Sequence, residues 1–504
     1  MAVWAMVVVY AGVFSWLSVA RHQTFSTGRF DLGNMVQAVW SVAHGGLFST
    51  TEVSGAQFSR LGAHVDPILA VFAPLWWVWP SPELLLVAQA VIVATGAFPA
   101  FWLGRRWLGD DRLALAGAAI YLLLPALQHA VLFDFHPVTL AAPLLMFCIW
   151  AADAGRWWCL GICAALAAIT QEQVGLMLVG LAVWMWFARP GHRRAAVVLG
   201  ASAAAWVAVA FWVIIPANAL GGESPFLTRY SGLGDGPGSI LAGFVLRPWE
   251  SIQMLATEGR IVYLLTLLLP LLFLPLLAPL LALAALPQLG INLLAGAGHD
   301  TDGYVNPIQT IQYHYAVVLV PFLVAAALLG LARLREGRPR WLGGLSSRVW
   351  ARPGVTAAVL VAVVVLAGVR SGPLPIWGWL PGGYGGSVLH TFTPDDRTRA
   401  LQEAVDLVPD DVAVSATNDA GAHLSARERI LLFPVISGAD WVVVSDTPHT
   451  RAVARDRPTL RPVHFAYVVN WMRTKPWWEL VYDREGVSVF RRVLPVEGEG
   501  ASAS

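Results

Sequence analysis

Acidic and imidazole side chains gather in one stretch of an otherwise apolar chain, between Phe30 and Pro67. Asp31 lies in the sequence Phe-Asp-Leu-Gly-Asn, and His64 and Asp66 lie in Ala-His-Val-Asp-Pro. Ionisable groups are costly beside hydrocarbon unless they face a cavity or a partner, so this stretch predicts a functional site. The carboxylate of Asp31 could take a proton from an acceptor hydroxyl or help to hold a cation. Asp31 could instead cap the start of a helix, an ordinary structural use of Asp.

His64 and Asp66 form a His-x-Asp pair, which could bind a divalent metal ion or a phosphate group. Two ligands do not make a metal site, so the pair alone is a weak motif. Asp66 directly precedes Pro67, a residue that suits the first position of a helix. Asp66 could therefore act only as the cap of that helix, and the residues leave both interpretations open.

Two further polar clusters interrupt the apolar sequence downstream. Asp134 and His136 lie in Phe-Asp-Phe-His-Pro, which repeats the acid, histidine and proline of the first stretch. They could belong to the same polar site, or they could form only a hydrogen-bonded pair at a helix end. Gln171 and Glu172 lie in Thr-Gln-Glu-Gln between two apolar runs, where Glu172 could contact a substrate or simply be hydrated in a short turn.

Candidate substrate contacts also come from the segment Gln-Tyr-His-Tyr and from an arginine of the first stretch. His314 could contact a phosphate or a sugar, and Gln312 lies close before it. Tyr313 and Tyr315 could instead be ordinary aromatic residues of the membrane interface. Arg60 could supply positive charge to a substrate phosphate.

The composition is that of a polytopic membrane protein. The 504 residues are 57% hydrophobic and 13% charged, and the mean hydropathy is +0.61. A formal net charge of +1 indicates neither nucleic acid nor a strongly charged partner. All three cysteines lie inside apolar segments, which argues against a disulfide framework and a cysteine metal site.

Apolar runs alternate with short polar segments along most of the chain. A helix needs ~20 apolar residues to cross about 30 Å of hydrocarbon, and eleven runs approach that length. They cover residues 1–20, 83–104, 113–130, 137–152, 157–171, 173–188, 195–216, 260–275, 277–295, 315–333 and 354–370. Pro67 to Pro80 is shorter than the ~17 residues a span requires, and it predicts a surface or re-entrant helix.

The distribution of arginine predicts which side of the membrane each loop faces. Short cytoplasmic loops carry an excess of Lys and Arg. Loops on one side of the predicted spans carry Arg105, Arg106, Arg112, Arg156, Arg189, Arg193, Arg194 and the run from Arg333 to Arg352. We therefore expect a cytoplasmic N-terminus and place the polar clusters on the exoplasmic face, where one common cavity would account for all of them.

The predicted fold is an all-α membrane bundle of about eleven transmembrane helices, followed by a small exoplasmic α/β domain. The membrane domain covers residues 1–371, with a large first exoplasmic loop at 21–82, and a linker covers 372–386. The soluble domain covers 387–496, and 497–504 form a disordered tail. The predicted elements of the soluble domain are a helix at Thr398–Leu407, strands at Val412–Ala416 and Ala439–Ser445, and a hairpin at Leu480–Val493 that turns at Arg484-Glu485-Gly486.

With these clusters in view, the chain resembles a family of bacterial integral membrane proteins with a domain of unknown function, placed near the GT-C glycosyltransferases. The resemblance covers residues 30 to about 325. It is carried by the stretches FDLGNMVQAVWSVAHG, LGAHVDPILAVFAPLW, LLLVAQAVIVATGAFPAFWLGRR, FDFHP, TQEQVGL and QYHYAVVLVPFL. Two positions depart from it, because relatives of this kind usually carry Lys-Glu-Asp where this chain has Gln171-Glu172-Gln173.

The resemblance implies a first helix, a long exoplasmic loop that carries a catalytic Asp, and a bundle whose exoplasmic cavity receives a lipid-linked sugar. Asp31 is the position that matches the catalytic residue. The predicted substrate-binding residues are Arg60, His64, Asp66, Asp134, His136, Gln171, Glu172, Gln312 and His314. No cofactor is certain, and candidate ligands for a divalent metal ion are Asp31, His64, Asp66, Asp134 and His136.

We therefore predict a multi-pass glycosyltransferase of the cell membrane that transfers a sugar from a polyprenyl-phosphate donor to an exoplasmic acceptor. Its expected partners are membrane lipid and that donor, and not nucleic acid. The alternative is a non-enzymatic transporter or binding protein for a lipid-linked or anionic compound. A secondary transporter would be expected to carry polar sites near mid-membrane in repeated halves, and the sequence shows no repeat.

Overall fold

The computed structural model describes residues 1–221, 257–295, 306–338, 352–384, 391–446 and 462–494, with the single positions 246, 249 and 350. Contacts divide the chain into two compact units. The first unit takes Met1–Trp16, Leu61–Ile68 and Val87–Leu389, and the second takes Leu17–Arg60, Leu69–Leu86 and His390–Ser504. Most of the predicted first loop is thus grouped with the C-terminal residues, whereas the sequence analysis assigned it to the membrane domain. The predicted tail at 497–504 lies outside the described residues.

Helices account for nearly all of the apolar part of the chain. They are α1 Ala2–Gln23, α2 Asn34–Ala43, α3 Ala73–Trp76, α4 Pro82–Ala94, α5 Ala97–Leu108, α6 Asp111–Leu123, α7 Pro125–Leu132, α8 Ala141–Ala154, α9 Trp157–Ala168, α10 Val174–Ala188, α11 Arg193–Val209, α12 Ile215–Asn218, α13 Glu258–Leu268, α14 Pro279–Ala282, α15 Leu286–Leu294, α16 Val320–Arg335 and α17 Pro353–Ser371. The expected mostly helical membrane architecture is confirmed in this coarse form.

The predicted count of eleven spans is not confirmed. Among the described residues, six helical segments are long and apolar enough to cross a membrane, or seven if the bent pair α6 and α7 forms one span. The predicted spans at 157–171 and 173–188 coincide with α9 and α10, which have only 12 and 15 residues. At 1.5 Å per residue, α9 covers about 18 Å, well short of the hydrocarbon thickness.

Prolines explain why the apolar sequence between 260 and 295 does not form two long helices. Pro270 and Pro275 are each the second residue of a short 3₁₀ turn, and Pro279 begins the four-residue helix α14. Between these turns Leu272 and Phe273 adopt left-handed conformations, with φ of 51° and 56°. Proline removes a backbone donor and clashes with the preceding helical turn, so the run is broken even though its composition is uniformly apolar.

A buried carboxylate joins three helices of the first unit. The Asp153 side chain, in the last turn of α8, is 0% exposed. It accepts a hydrogen bond from Arg106 Nε of α5 at 2.6 Å, and another from Arg189 Nε, just after α10, at 3.0 Å. Both arginines come from loops that the sequence analysis placed on the cytoplasmic side, although Asp153 itself carried no sequence signal.

The second unit is built on a five-stranded sheet. Its elements are β1 Ser49–Thr51, β2 Gln57–Ser59, α18 Asp396–Asp406, β3 Val414–Ala416, α19 Asn418–His423, β4 Ile430–Leu432, β5 Trp441–Ser445, α20 Pro462–Arg473, β6 Trp478–Arg484 and β7 Val487–Arg492. The strand order is β4-β3-β5-β7-β6, in which β3 is parallel to β4 and β5. The predicted small C-terminal α/β region is therefore present. Its hairpin turns at Glu485 and Gly486, both with positive φ.

Stacked rings connect the end of α1 to this sheet unit. The His423 ring lies between those of His22 and Phe25, with ring centroids 3.9 Å from each. Nε2 of His423 donates to the carbonyl oxygen of His22 at 2.9 Å. Thr24 Oγ1 also donates to the carbonyl of Thr391. The residues that follow the first helix thus pack directly on the C-terminal residues of the second unit.

Candidate functional site

The first polar group of the first unit pairs His64 with Glu172. Nδ1 of His64 lies 2.9 Å from Oε1 of Glu172, and the backbone N–H of Val65 donates to Oε2 at 2.9 Å. The side-chain amide of Gln171 also lies 2.9 Å from His64 Nδ1. Both carboxylate oxygens of Glu172 are therefore hydrogen-bonded, and its side chain is only 8% exposed.

These contacts lower the pKa of the Glu172 carboxyl. Burial alone raises that pKa, but the neighbouring His64 and the backbone N–H of Val65 outweigh burial, so the pKa lies below its ordinary value. An ionised carboxylate only accepts hydrogen bonds, which fits the two contacts of Glu172.

The segment that carries His64 is held on both sides by apolar elements. Val65 packs with Ala210 and Ile215 in a buried cluster. The backbone N–H of Ile68 donates to the carbonyl of Ile169 at 3.2 Å, just before the turn that bears Glu172. Asp66 is buried, at 1% exposure, and a 3₁₀ helix begins at the following proline as the sequence predicted.

The second polar group is organised by Gln89, a residue of α4 that the sequence analysis did not single out. Its Nε2 donates to the carbonyls of Val131 at 3.0 Å and Asp134 at 2.8 Å. Its Oε1 accepts from the backbone N–H of His136 at 2.9 Å. Asp134 has a left-handed conformation, with φ of 77°. A fully buried amide thus supports the strained turn that presents the Asp134 and His136 side chains.

Aromatic rings bring the Phe-Asp-Phe-His-Pro and Gln-Tyr-His-Tyr segments together. The rings of His136 and His314 are stacked, with centroids 3.6 Å apart. Phe133 meets the ring of Tyr313 edge-on at 4.6 Å. Gln312, which is exposed, donates to the hydroxyl of Tyr384 at 2.8 Å. The contact between two segments so distant in sequence places the His136 and His314 rings side by side.

Asp31 and Arg60 belong to the second unit. Asp31 lies half-buried in a π-helical turn, Arg29–Gly33, that leads into α2. Arg60 is 7% exposed, and its backbone N–H donates to the carbonyl of Phe48 at 2.8 Å.

In the part of the chain that the structure describes, no group of three or more His, Cys, Asp and Glu side chains is arranged to hold a metal ion. The five candidate ligands named from the sequence do not form such a group in the residues that the structure describes. We therefore assign no step of the chemistry to a metal ion.

The long apolar helices and the small sheet define the class of the chain, a multi-pass helical membrane protein with an α/β domain. The family described as Predicted membrane protein (DUF2079) matches residues 21–466, and the chain belongs to this family. None of the curated proteins matches it. Among solved structures, the crystal structure of ArnT from Cupriavidus metallidurans in the apo state is similar, with a TM-score of 0.48 and 12% identity over 97% of this chain and 98% of that chain.

The buried pair gives a test of its own. At pH 7, Glu172→Gln replaces a charged acceptor by a neutral one of the same shape, and we expect a loss of about 2 kcal/mol of stability. A depressed carboxyl pKa stabilises the protein above pH 4.5, the ordinary value, and that contribution disappears as the pH falls through the folded-state pKa. The difference in melting temperature between wild type and Glu172→Gln should therefore shrink below pH 4.5.

Glu83→Gln is the matched control, because Glu83 is half-buried and accepts one exposed hydrogen bond, from Gln23 at 3.1 Å. Its effect on the melting temperature at pH 7 should be small. A difference between wild type and Glu172→Gln that stays constant from neutral to acidic pH would contradict an ionised Glu172.

Proposed function

We propose that this protein is a membrane glycosyltransferase that moves a sugar from a polyprenyl-phosphate donor to an exoplasmic acceptor. The observation that carries the proposal is the buried, ionised Glu172 hydrogen-bonded to His64 within an apolar helical unit. An ionisable pair in such surroundings is costly and is by default a sign of function. Its histidine gives the unit a group that can donate a proton to a phosphate.

The proposed reaction assigns a separate role to each group. Asp31 accepts the proton of the acceptor hydroxyl as the hydroxyl oxygen forms a bond to the anomeric carbon. The bond between that carbon and the phosphate oxygen breaks, and polyprenyl phosphate leaves with the electron pair. His64, Gln171 and Arg60 are donors that can stabilise the negative charge of the leaving phosphate.

The proposal differs from a transport or binding function in what happens to the donor. A transporter would leave the sugar–phosphate bond intact, whereas the transferase must break it. Because Gln171 and Gln173 are neutral amides, we propose Arg60 as the fixed positive charge among the predicted phosphate contacts.

The two acids of the first stretch should behave differently when they are neutralised. Asp31→Asn removes the proposed base, so transfer should fall ~10²-fold or more while donor binding is retained. Asp66→Asn changes a buried residue that precedes a helix, so it should cost about 1 kcal/mol of stability and keep most of the activity. Single-turnover transfer, donor binding and melting temperature, measured on both variants, separate these effects. Equal transfer rates for the two variants, or a wild-type rate for Asp31→Asn, would exclude Asp31 as the base.

The orientation is part of the proposal and has its own test. We place the N-terminus in the cytoplasm and the α/β domain on the exoplasmic side, from the arginine distribution. In a background with all three cysteines replaced by Ala, a membrane-impermeant thiol reagent added to intact cells should label Gln402→Cys. Gly191→Cys, in the arginine-rich segment after α10, should react only after permeabilisation. Both positions are exposed, and the reverse labelling pattern would overturn the orientation.

A further inference from the structure

We propose that the C-terminal α/β domain positions Asp31, and that Asn418 is the residue through which it does so. This inference rests on the proposed role of Asp31 as the base. The domain follows α17, and its contacts within the second unit fall on the turn that carries Asp31.

Asn418 binds the π-helical turn directly. The backbone N–H of Phe30, next to Asp31, donates to Oδ1 of Asn418 at 3.1 Å. Asn418 begins α19 and is 8% exposed. A Cβ atom added at Gly28 would lie 2.7 Å from Nδ2 of Asn418, so a larger residue there would force the Asn418 side chain to shift. The contact is therefore both hydrogen-bonded and closely packed.

Two further glycines bring the same turn against α19. A Cβ atom at Gly33 would lie 2.5 Å from the hydroxyl of Ser425, and one at Gly421 would lie 2.8 Å from Cβ of Arg29. Ser425 itself is buried and donates to the carbonyl of Gly421 at 2.6 Å. Gly33 thus packs closely on Ser425, just after α19, and Arg29 packs closely on Gly421 of α19, which leaves little room for the turn to shift.

A buried arginine and a buried glutamine hold the flanks of the turn. Arg29, which is 1% exposed, donates to the carbonyl of Ile430 at 2.9 Å and to the carbonyl of Thr51. Gln37 of α2 donates to the carbonyl of Glu428 at 2.8 Å, and its Oε1 accepts from the N–H of Thr51 at 2.9 Å. The α/β domain therefore fixes the chain before and after Asp31.

The conformation of the turn makes such support necessary. A π-helical turn is rare and usually occurs at functional sites, where surrounding contacts stabilise it. The turn Arg29–Gly33 has only five residues and follows a glycine. Because its neighbours on both sides are bound by the domain, the direction of the Asp31 carboxylate depends on Asn418 and the residues around it.

The test uses the full-length protein in lipid nanodiscs. Asn418→Leu removes the acceptor at nearly constant volume, and Asn418→Asp keeps an oxygen that can accept from Phe30. We expect Asn418→Leu to speed amide exchange between Phe30 and Gly33 by about tenfold, and Asn418→Asp to restore it. Transfer by Asn418→Leu should show a lower kcat with an unchanged KM for the lipid donor.

Gln402→Leu, on the exposed face of α18, is the matched control in the same domain and should leave both quantities unchanged. If Asn418→Leu fails to fold, Asn418→Ser, whose side chain is too short to reach Phe30, replaces it. Wild-type exchange between Phe30 and Gly33 in a folded Asn418 variant overturns the inference. So does faster exchange with an unchanged kcat.

The two proposals fail separately. If the wild-type protein transfers no sugar, the proposed function is wrong, and the exchange measurement still decides whether Asn418 fixes the turn. If the wild type transfers sugar and exchange in Asn418→Leu is unaltered, only the positioning role is wrong. Faster exchange, a lower kcat and rescue by Asn418→Asp together support both.

Discussion

Every polar side chain buried among apolar helices needs its partners inside the protein, because neither lipid nor packed hydrocarbon offers a hydrogen bond. Three residues of the first unit illustrate this constraint. Gln89 uses both ends of its amide on one turn, Glu172 uses both carboxylate oxygens, and Asp153 bridges two arginines. The hydrogen bonds that satisfy these buried groups also hold the candidate residues in place. Glu172 binds the His64 ring, and Gln89 binds the backbone N–H of His136.

The sequence was informative about the class of protein and about where polar groups interrupt it. It predicted the apolar helices, the small sheet and the hairpin at Glu485 and Gly486. It also singled out His64 and Glu172 separately, but they are 108 positions apart, and local spacing says nothing about a contact at that separation. The sequence did not indicate a role for Gln89, because its partners are backbone groups of a distant turn and a pattern of side chains does not reveal such contacts. Between 260 and 295 the prolines indicate breaks in the helix, although the hydropathy of the run is uniform.

The contacts between the first loop and the C-terminal residues could not have been predicted from the sequence pattern of either segment. Sequence composition changes sharply after α17, which suggested an independent module. Instead, Phe30 binds Asn418, and Arg29 binds the carbonyl of Ile430 on β4. These contacts depend on glycines that permit close backbone approach, and a glycine in the sequence does not say what will approach it. The domain thus contributes to the proposed site through the shape it imposes on a distant turn.

The central claim is that the protein breaks the bond between a sugar and a polyprenyl phosphate. The most direct measurement incubates the purified wild-type protein, in proteoliposomes, with a polyprenyl-phosphate donor that carries a radiolabelled sugar, together with an envelope extract as acceptor. The account predicts that label leaves the lipid fraction, appears in the acceptor fraction and is matched by free polyprenyl phosphate. Label that crosses the bilayer or stays bound while the donor remains intact would contradict it and would indicate a transporter or binding protein.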